Sequence, residues 1–290
     1  MNNDHALGEL VTIDSALGFK LDGILYKNGA NRTTVIHIHG SFGNFFHNRF
    51  IRFMAARYIS AGINLLSFNL SCHDGFSEGF RADDELEYVG GAITDFSTCI
   101  PDIEGAIKFV SRFSDRIVLQ GHSLGCDRVL HFLVSRDISC DFILLAPCDS
   151  YKLHSNWIAP ETVEDQIKRL MAESTPGGEF GWLPIREYGI RQGDWVYPIP
   201  ITRKALLSII DGPPFHLIRI ESPAKFYLDQ ESLIYIGGED AIQVYPADVM
   251  FKYFEGRIRK VIPVYIANGD HDLGGCEMDV IERVIKWISR

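Results

Sequence analysis

Gly121-His122-Ser123-Leu124-Gly125 follows the apolar run 116–120 and precedes a helix-like segment, 126–136. The pattern reads as a strand, a sharp turn and a helix with a serine at the apex. A turn this tight leaves no room for side chains on either side of Ser123, which accounts for the two glycines, and its strained backbone lifts the hydroxyl clear of the sheet. Bare G-x-S-x-G also arises by chance in chains of ordinary glycine content. Its setting between a strand and a helix is what gives it weight.

At neutral pH a lone serine is a poor nucleophile, so chemistry at Ser123 requires a histidine to take its proton and an acid to orient that histidine. In sheet-based enzymes with this turn both follow the serine, the acid first, each on a loop beyond the carboxyl end of a later strand. Residues 232–236 read as a buried strand running into Gly237-Gly238-Glu239-Asp240. Residues 261–267 read as another, running into Asn268-Gly269-Asp270-His271. Asp240 is therefore the candidate acid and His271 the candidate base. Asp270 and Asp272 flank His271, and adjacent residues do not readily fold back to grip the ring.

Four motifs now stand in order: His39-Gly40-Ser41-Phe42-Gly43 after an early strand, GHSLG at the turn, GGED after a late strand and NGDH after the last. With these the chain resembles the α/β-hydrolase superfamily, specifically its capped serine hydrolases of the esterase, lipase and thioesterase kind, over most of its length. The resemblance implies a core at 1–147 and 226–290 and a cap insertion at 148–225. It favours Asp240 over Glu239, because the family's acid closes a G-x-x-D pattern after the penultimate strand. It also implies an oxyanion hole built from the backbone amides of Leu124 and Ser41, with Phe42 as the alternative to Ser41. The expected activity is cleavage of a carboxylic ester, thioester or amide of a small molecule through an acyl-enzyme, with no cofactor. An acyltransferase on the same three residues, or a non-catalytic small-molecule binder on this fold, is the alternative.

Read from the start, the chain predicts strands at 9–13 and 21–26 joined by a hairpin-like turn, then strands at 33–39 and 63–68 with an amphipathic helix at 48–61 between them. A polar loop is expected at 69–91, a helix at 102–113, and a further strand at 141–146. Alternating strands and helices without a repeat period imply an α/β fold with a doubly wound, mostly parallel sheet. The alternation stops at Pro147. Helical patches at 160–173 and 202–210 are expected between proline- and glycine-rich loops, giving a helical cap rich in aromatic residues. Trp182 and Trp195 are its candidate substrate contacts, and His73 is a third, on the loop after Phe68.

The formal net charge of −10 argues against nucleic acid, because phosphate binding relies on clustered lysine and arginine. The basic group at 257–260 reads as a solvated helix end. No basic patch followed by an apolar stretch opens the chain, and no run of about 18 apolar residues occurs, so an integral membrane segment is not expected. Six cysteines without paired spacing suit reduced thiols in a cytoplasm, and no metal site is expected.

Overall fold

The computed structural model describes residues 6–29, 31–136, 138–157, 180–186, 196–222 and 224–290. An antiparallel pair opens the chain, β1 (Gly8–Asp14) on β2 (Phe19–Tyr26), in which β2 alternates buried and half-exposed positions. The near-continuous apolar runs that follow become strands covered on both faces: β3 (Thr33–Ile38), then helix α1 (Phe50–Ser60), then β4 (Ile63–Phe68), all six of whose residues are buried. A short antiparallel hairpin, β5 (Ser77–Arg81) and β6 (Leu86–Val89), precedes helix α2 (Cys99–Val110). Then come β7 (Arg116–His122), α3 (Leu124–Ser135), β8 (Phe142–Leu145) and α4 (Ser150–Trp157). A second hairpin, β9 (Phe180–Arg186) with β10 (Val196–Thr202), leads into α5 (Arg203–Ile210) and the short α6 (Pro213–His216). The chain closes with β11 (Leu228–Gly237), α7 (Ala247–Glu255), β12 (Ile258–Ile266) and α8 (Glu277–Ile288).

The main sheet runs β12-β11-β8-β7-β3-β4-β2-β5-β6, with β1 paired to β2 off that path. Strands β4, β3, β7, β8, β11 and β12 are mutually parallel, and the remainder are antiparallel. Each face buries its own core. Helices α2, α3 and α7 cover one side through residues such as Ile103, Leu130 and Phe254. The other is covered by α1 and by α8, whose Val280, Ile281, Val284 and Ile288 repeat at helical spacing. This is the doubly wound, mostly parallel architecture that the alternation predicts.

The elbow shows why its glycines are required. Ser123 holds φ 55° and ψ −128°, a conformation rare for a residue with a side chain. A Cβ added to Gly121 would lie 2.4 Å from the Gly125 carbonyl oxygen, and one added to Gly125 would lie 2.2 Å from the Ile38 carbonyl oxygen. Both obstacles are backbone. They cannot rotate away.

Three segments differ from expectation. The 69–91 loop contains the β5–β6 hairpin, which is hard to read because Gly79 and three charged residues within its strands interrupt any alternation. In the insertion, the proline-rich stretches form β9 and β10, with Pro184 opposite Pro198 and Trp182 opposite Pro200. All three prolines fall on one alternation, the non-hydrogen-bonded one, where a missing N–H costs no ladder bond. The basic group at 257–260 is a helix end only at Arg257; Arg259 and Lys260 lie on β12 and pair with Asp229 and Glu231. Helix α5 matches the expected patch at 202–210, while the patch at 160–173 lies outside the described residues.

Gly125→Ala is expected to destabilise the protein by about 3 kcal/mol or more, because a methyl forced into backbone is not relieved by rotamer change. Gly29→Ala, at a position with open space around its Cβ, is the control and should unfold with wild-type stability. Equal thermal midpoints for the two variants would contradict the packing account.

Candidate active site

The parallel strands end at one edge, and their carboxyl ends carry the candidate residues. Gly40 and Ser41 follow β3, Ser123 follows β7, Asp240 follows β11 and His271 follows β12. The amide of Ser123 donates to the Leu145 carbonyl at 3.0 Å, which ties the apex to β8. A Cβ on Gly40 would approach the Ser123 Cβ to 2.9 Å, so the loop after β3 lies directly against the serine.

The structure brings His271 and Asp240 together. Nδ1 of His271 lies 2.9 Å from Oδ2 of Asp240, whose side chain is 1% exposed, and the other carboxylate oxygen accepts the Ile242 amide at 2.9 Å. The neighbouring acids are engaged elsewhere. Asp270 accepts the backbone amides of Asp272 and Gly274, Asp272 accepts from Asn48, and Glu239 is exposed. A carboxylate at Nδ1 holds the imidazole with its Nε2 lone pair available.

Two further histidines brace this arrangement. His122, inside the elbow, approaches the carbonyl of His271 with its Nε2 at 2.8 Å, so that nitrogen carries the proton and donates it. Burial, and then the proximity of His271, push its pKa down to about 4, so the ring is neutral and serves as a donor rather than a charge. His39 holds the loop after β3, its Nδ1 on the Gly40 carbonyl at 3.0 Å and its Nε2 accepting the Leu70 amide at 3.2 Å.

Ser123, His271, Leu124, Ser41 and Phe42 all line one cavity of about 340 Å³. Ile201, Ser208, Ile209 and Pro214, from the insertion, close part of it. His73 is not among its lining residues; its Nδ1 lies 2.8 Å from Asp74, and the neighbouring Cys72 lines the cavity instead. Trp182 lies on β9, and Trp195 lies outside the described residues. Among the described residues no group of three or more His, Cys, Asp or Glu side chains is placed to hold a metal ion. No helix among them is long and apolar enough to cross a membrane.

The sequence reading overlooked Arg128. It is 2% exposed, lines the cavity, and donates from Nη1 to the carbonyls of His39 at 2.7 Å and Gly40 at 3.1 Å. A signal existed, since Asp127 and Arg128 are adjacent charges in an otherwise apolar helix. Asp127 makes no ion pair with Arg128. Both its carboxylate oxygens are buried without a hydrogen-bond partner, and burial, reinforced by Asp149, pushes its pKa well above the usual carboxylate range.

A carboxyl whose pKa is raised in the folded state contributes stability only below its unfolded value of about 3.9, and that contribution is lost as pH rises toward the folded value. Asp127→Asn should therefore melt above wild type at pH 7 to 8, with the gain shrinking to nothing near pH 4. A difference independent of pH would show that Asp127 is charged in the fold.

No protein-family model matches the sequence, and no curated protein matches it. Solved structures do. The esterase Pf2001 of Pyrococcus furiosus superposes with a TM-score of 0.63 at 16% identity, covering 99% of this chain and 92% of its own. Est1E from Butyrivibrio proteoclasticus, solved with ferulic acid bound, gives 0.64 at 16% identity, over 96% and 97% of the two chains. Mouse α/β hydrolase domain-containing protein 10 gives 0.65 at 16% identity, over 97% and 98%. With a doubly wound sheet, a strained serine turn after its central strand and these likenesses along almost the whole chain, the protein has the α/β-hydrolase fold.

Proposed function

We propose that the chain is a serine hydrolase that cleaves a carboxylic ester, thioester or amide of a small molecule, with Ser123 as nucleophile, His271 as base and Asp240 as the acid that orients it. The observation that carries the reading is the 2.9 Å contact between His271 and a nearly inaccessible Asp240, set at the same cavity as a serine in a strained turn. A buried carboxylate gripping a histidine whose other nitrogen is left free has a ready chemical use there.

In this reading His271 takes the Ser123 proton as the hydroxyl oxygen attacks the carbonyl carbon. The oxyanion is held by the amides of Leu124 and Ser41. Leu124 opens α3, so its N–H has no intrahelical acceptor and sits at the positive end of the helix. Ser41 is carried against Ser123 by the close approach of Gly40. Collapse releases the alcohol, thiol or amine, which leaves with the proton from His271. Water, activated by the same imidazole, then cleaves the acyl-enzyme to the free acid and restores the serine. The segment 148–225 acts as a cap, a role supported by the seven of its residues that line the cavity.

Ser123→Ala and His271→Ala should each lower turnover of an activated ester by about 10³-fold or more, and Asp240→Asn by a comparable factor, because members of such a unit are lost non-additively. The double variant of Ser123 and His271 should be no worse than either single one. Losses below about tenfold for Ser123→Ala, or additive losses in the double variant, would refute the assignment.

A further inference from the structure

We propose that Arg128 receives a carboxylate of the substrate, so that this site acts on esters or thioesters that carry a second, free acid group. The inference rests on the serine-hydrolase reading above and names its substrate class.

Leu124 and Arg128 are four residues apart on α3, which puts them on one helix face, and both line the cavity. Arg128 is the sole lysine or arginine among the described residues lining it. A guanidinium has five N–H donors, and here two carbonyl oxygens take bonds from Nη1 while Nε has no acceptor at all. The ring of Phe96 lies 5.9 Å from its central carbon, and Cys72 is a weak sulfur neighbour. Among the described residues no carboxylate makes an ion pair with it. Asp102, the other buried acid in its field, is committed to Ser15 and twice to Ser71.

A buried cation with no directly paired anion is costly, and a well-seated carboxylate offsets that cost. Bracing the loop after β3 explains the Nη1 bonds, yet a neutral amide donor could do that without the burial of a charge. What a guanidinium adds is planar, bidentate recognition of a carboxylate. The same loop abuts Ser123, so an anion bound at Arg128 is separated from the nucleophile by a short span, which favours short diacid chains. In a chain of net charge −10, a local cation is also what lets an anionic substrate settle in an apolar cavity.

The test compares kcat/KM of the wild-type protein on monoethyl succinate, glutarate and adipate with the ethyl esters of the fatty acids of equal length. A second arm, 3-acetoxypropanoate against propyl acetate, places the acid on the alcohol side. The acidic member of at least one pair should be preferred by about tenfold or more. Arg128→Met should remove that preference, Arg128→Lys should retain part of it, and glutarate should inhibit the wild type competitively. No preference in any pair would overturn the proposal. So would Arg128→Met slowing acidic and neutral esters by the same factor, the outcome of a bracing role alone. If Arg128→Met does not fold, the wild-type preference and its inhibition by glutarate decide. If no ester is turned over, calorimetric titration with glutarate decides separately: binding that weakens in Arg128→Lys keeps the anion site while the hydrolase reading falls, and absence of binding removes both.

Discussion

The site depends on one close approach of backbone to backbone. Gly121, Gly125 and the end of β3 meet at distances that exclude even a methyl group, and Ser123 is held in its strained conformation as the chain reverses between β7 and α3. That single contact sets three things at once. It raises the serine hydroxyl into the cavity, brings the loop of Gly40 against it, and fixes the start of α3 so that Leu124 and Arg128 face the same space. Strain of this kind persists only where the surroundings over-determine it, and here two parallel strands and a helix do so.

Around the elbow, polar groups are buried mostly in uncharged form. His37 accepts from the Gln120 amide nitrogen, whose amide oxygen in turn accepts from Tyr58, and burial pushes its pKa down to about 3. His122 is neutral and donates its proton to the backbone carbonyl of His271, coupling the turn that carries Ser123 to the loop that carries His271. Burial, reinforced by Asp149, raises the Asp127 carboxyl well above the usual carboxylate range. Against that background the guanidinium of Arg128 stands out as a buried charge with which no carboxylate among the described residues makes a direct ion pair. The strands define where the groups sit; the desolvation of their neighbours decides which of them stay charged.

Much of this was legible in the sequence because the parallel strands are buried on both faces. Runs such as 33–38, 63–68 and 116–122 need no alternation to be recognised, and each ends in a loop with a distinctive glycine pattern. Asp240 could be separated from Asp270 and Asp272 by a simple argument about reach, and the structure engages those two acids in turns and with Asn48. What was not legible depends on tertiary context. The hairpins β5–β6 and β9–β10 are short ribbons with charged residues, glycine or proline in them, so neither propensity nor period announces a strand. Arg128 was passed over because a charge on a helix is ordinarily solvated, and only the packing of α3 beneath the sheet edge shows that this one is not.

An activated nucleophile at Ser123 is read out by mass spectrometry of the intact protein after brief exposure to a fluorophosphonate, followed by peptide mapping of the adduct. A single phosphonyl group per chain is expected, located on Ser123, formed rapidly in the wild type and slowly when His271 is replaced by alanine. Phosphonylation at another residue, or a protein that stays unmodified while folded, would contradict it.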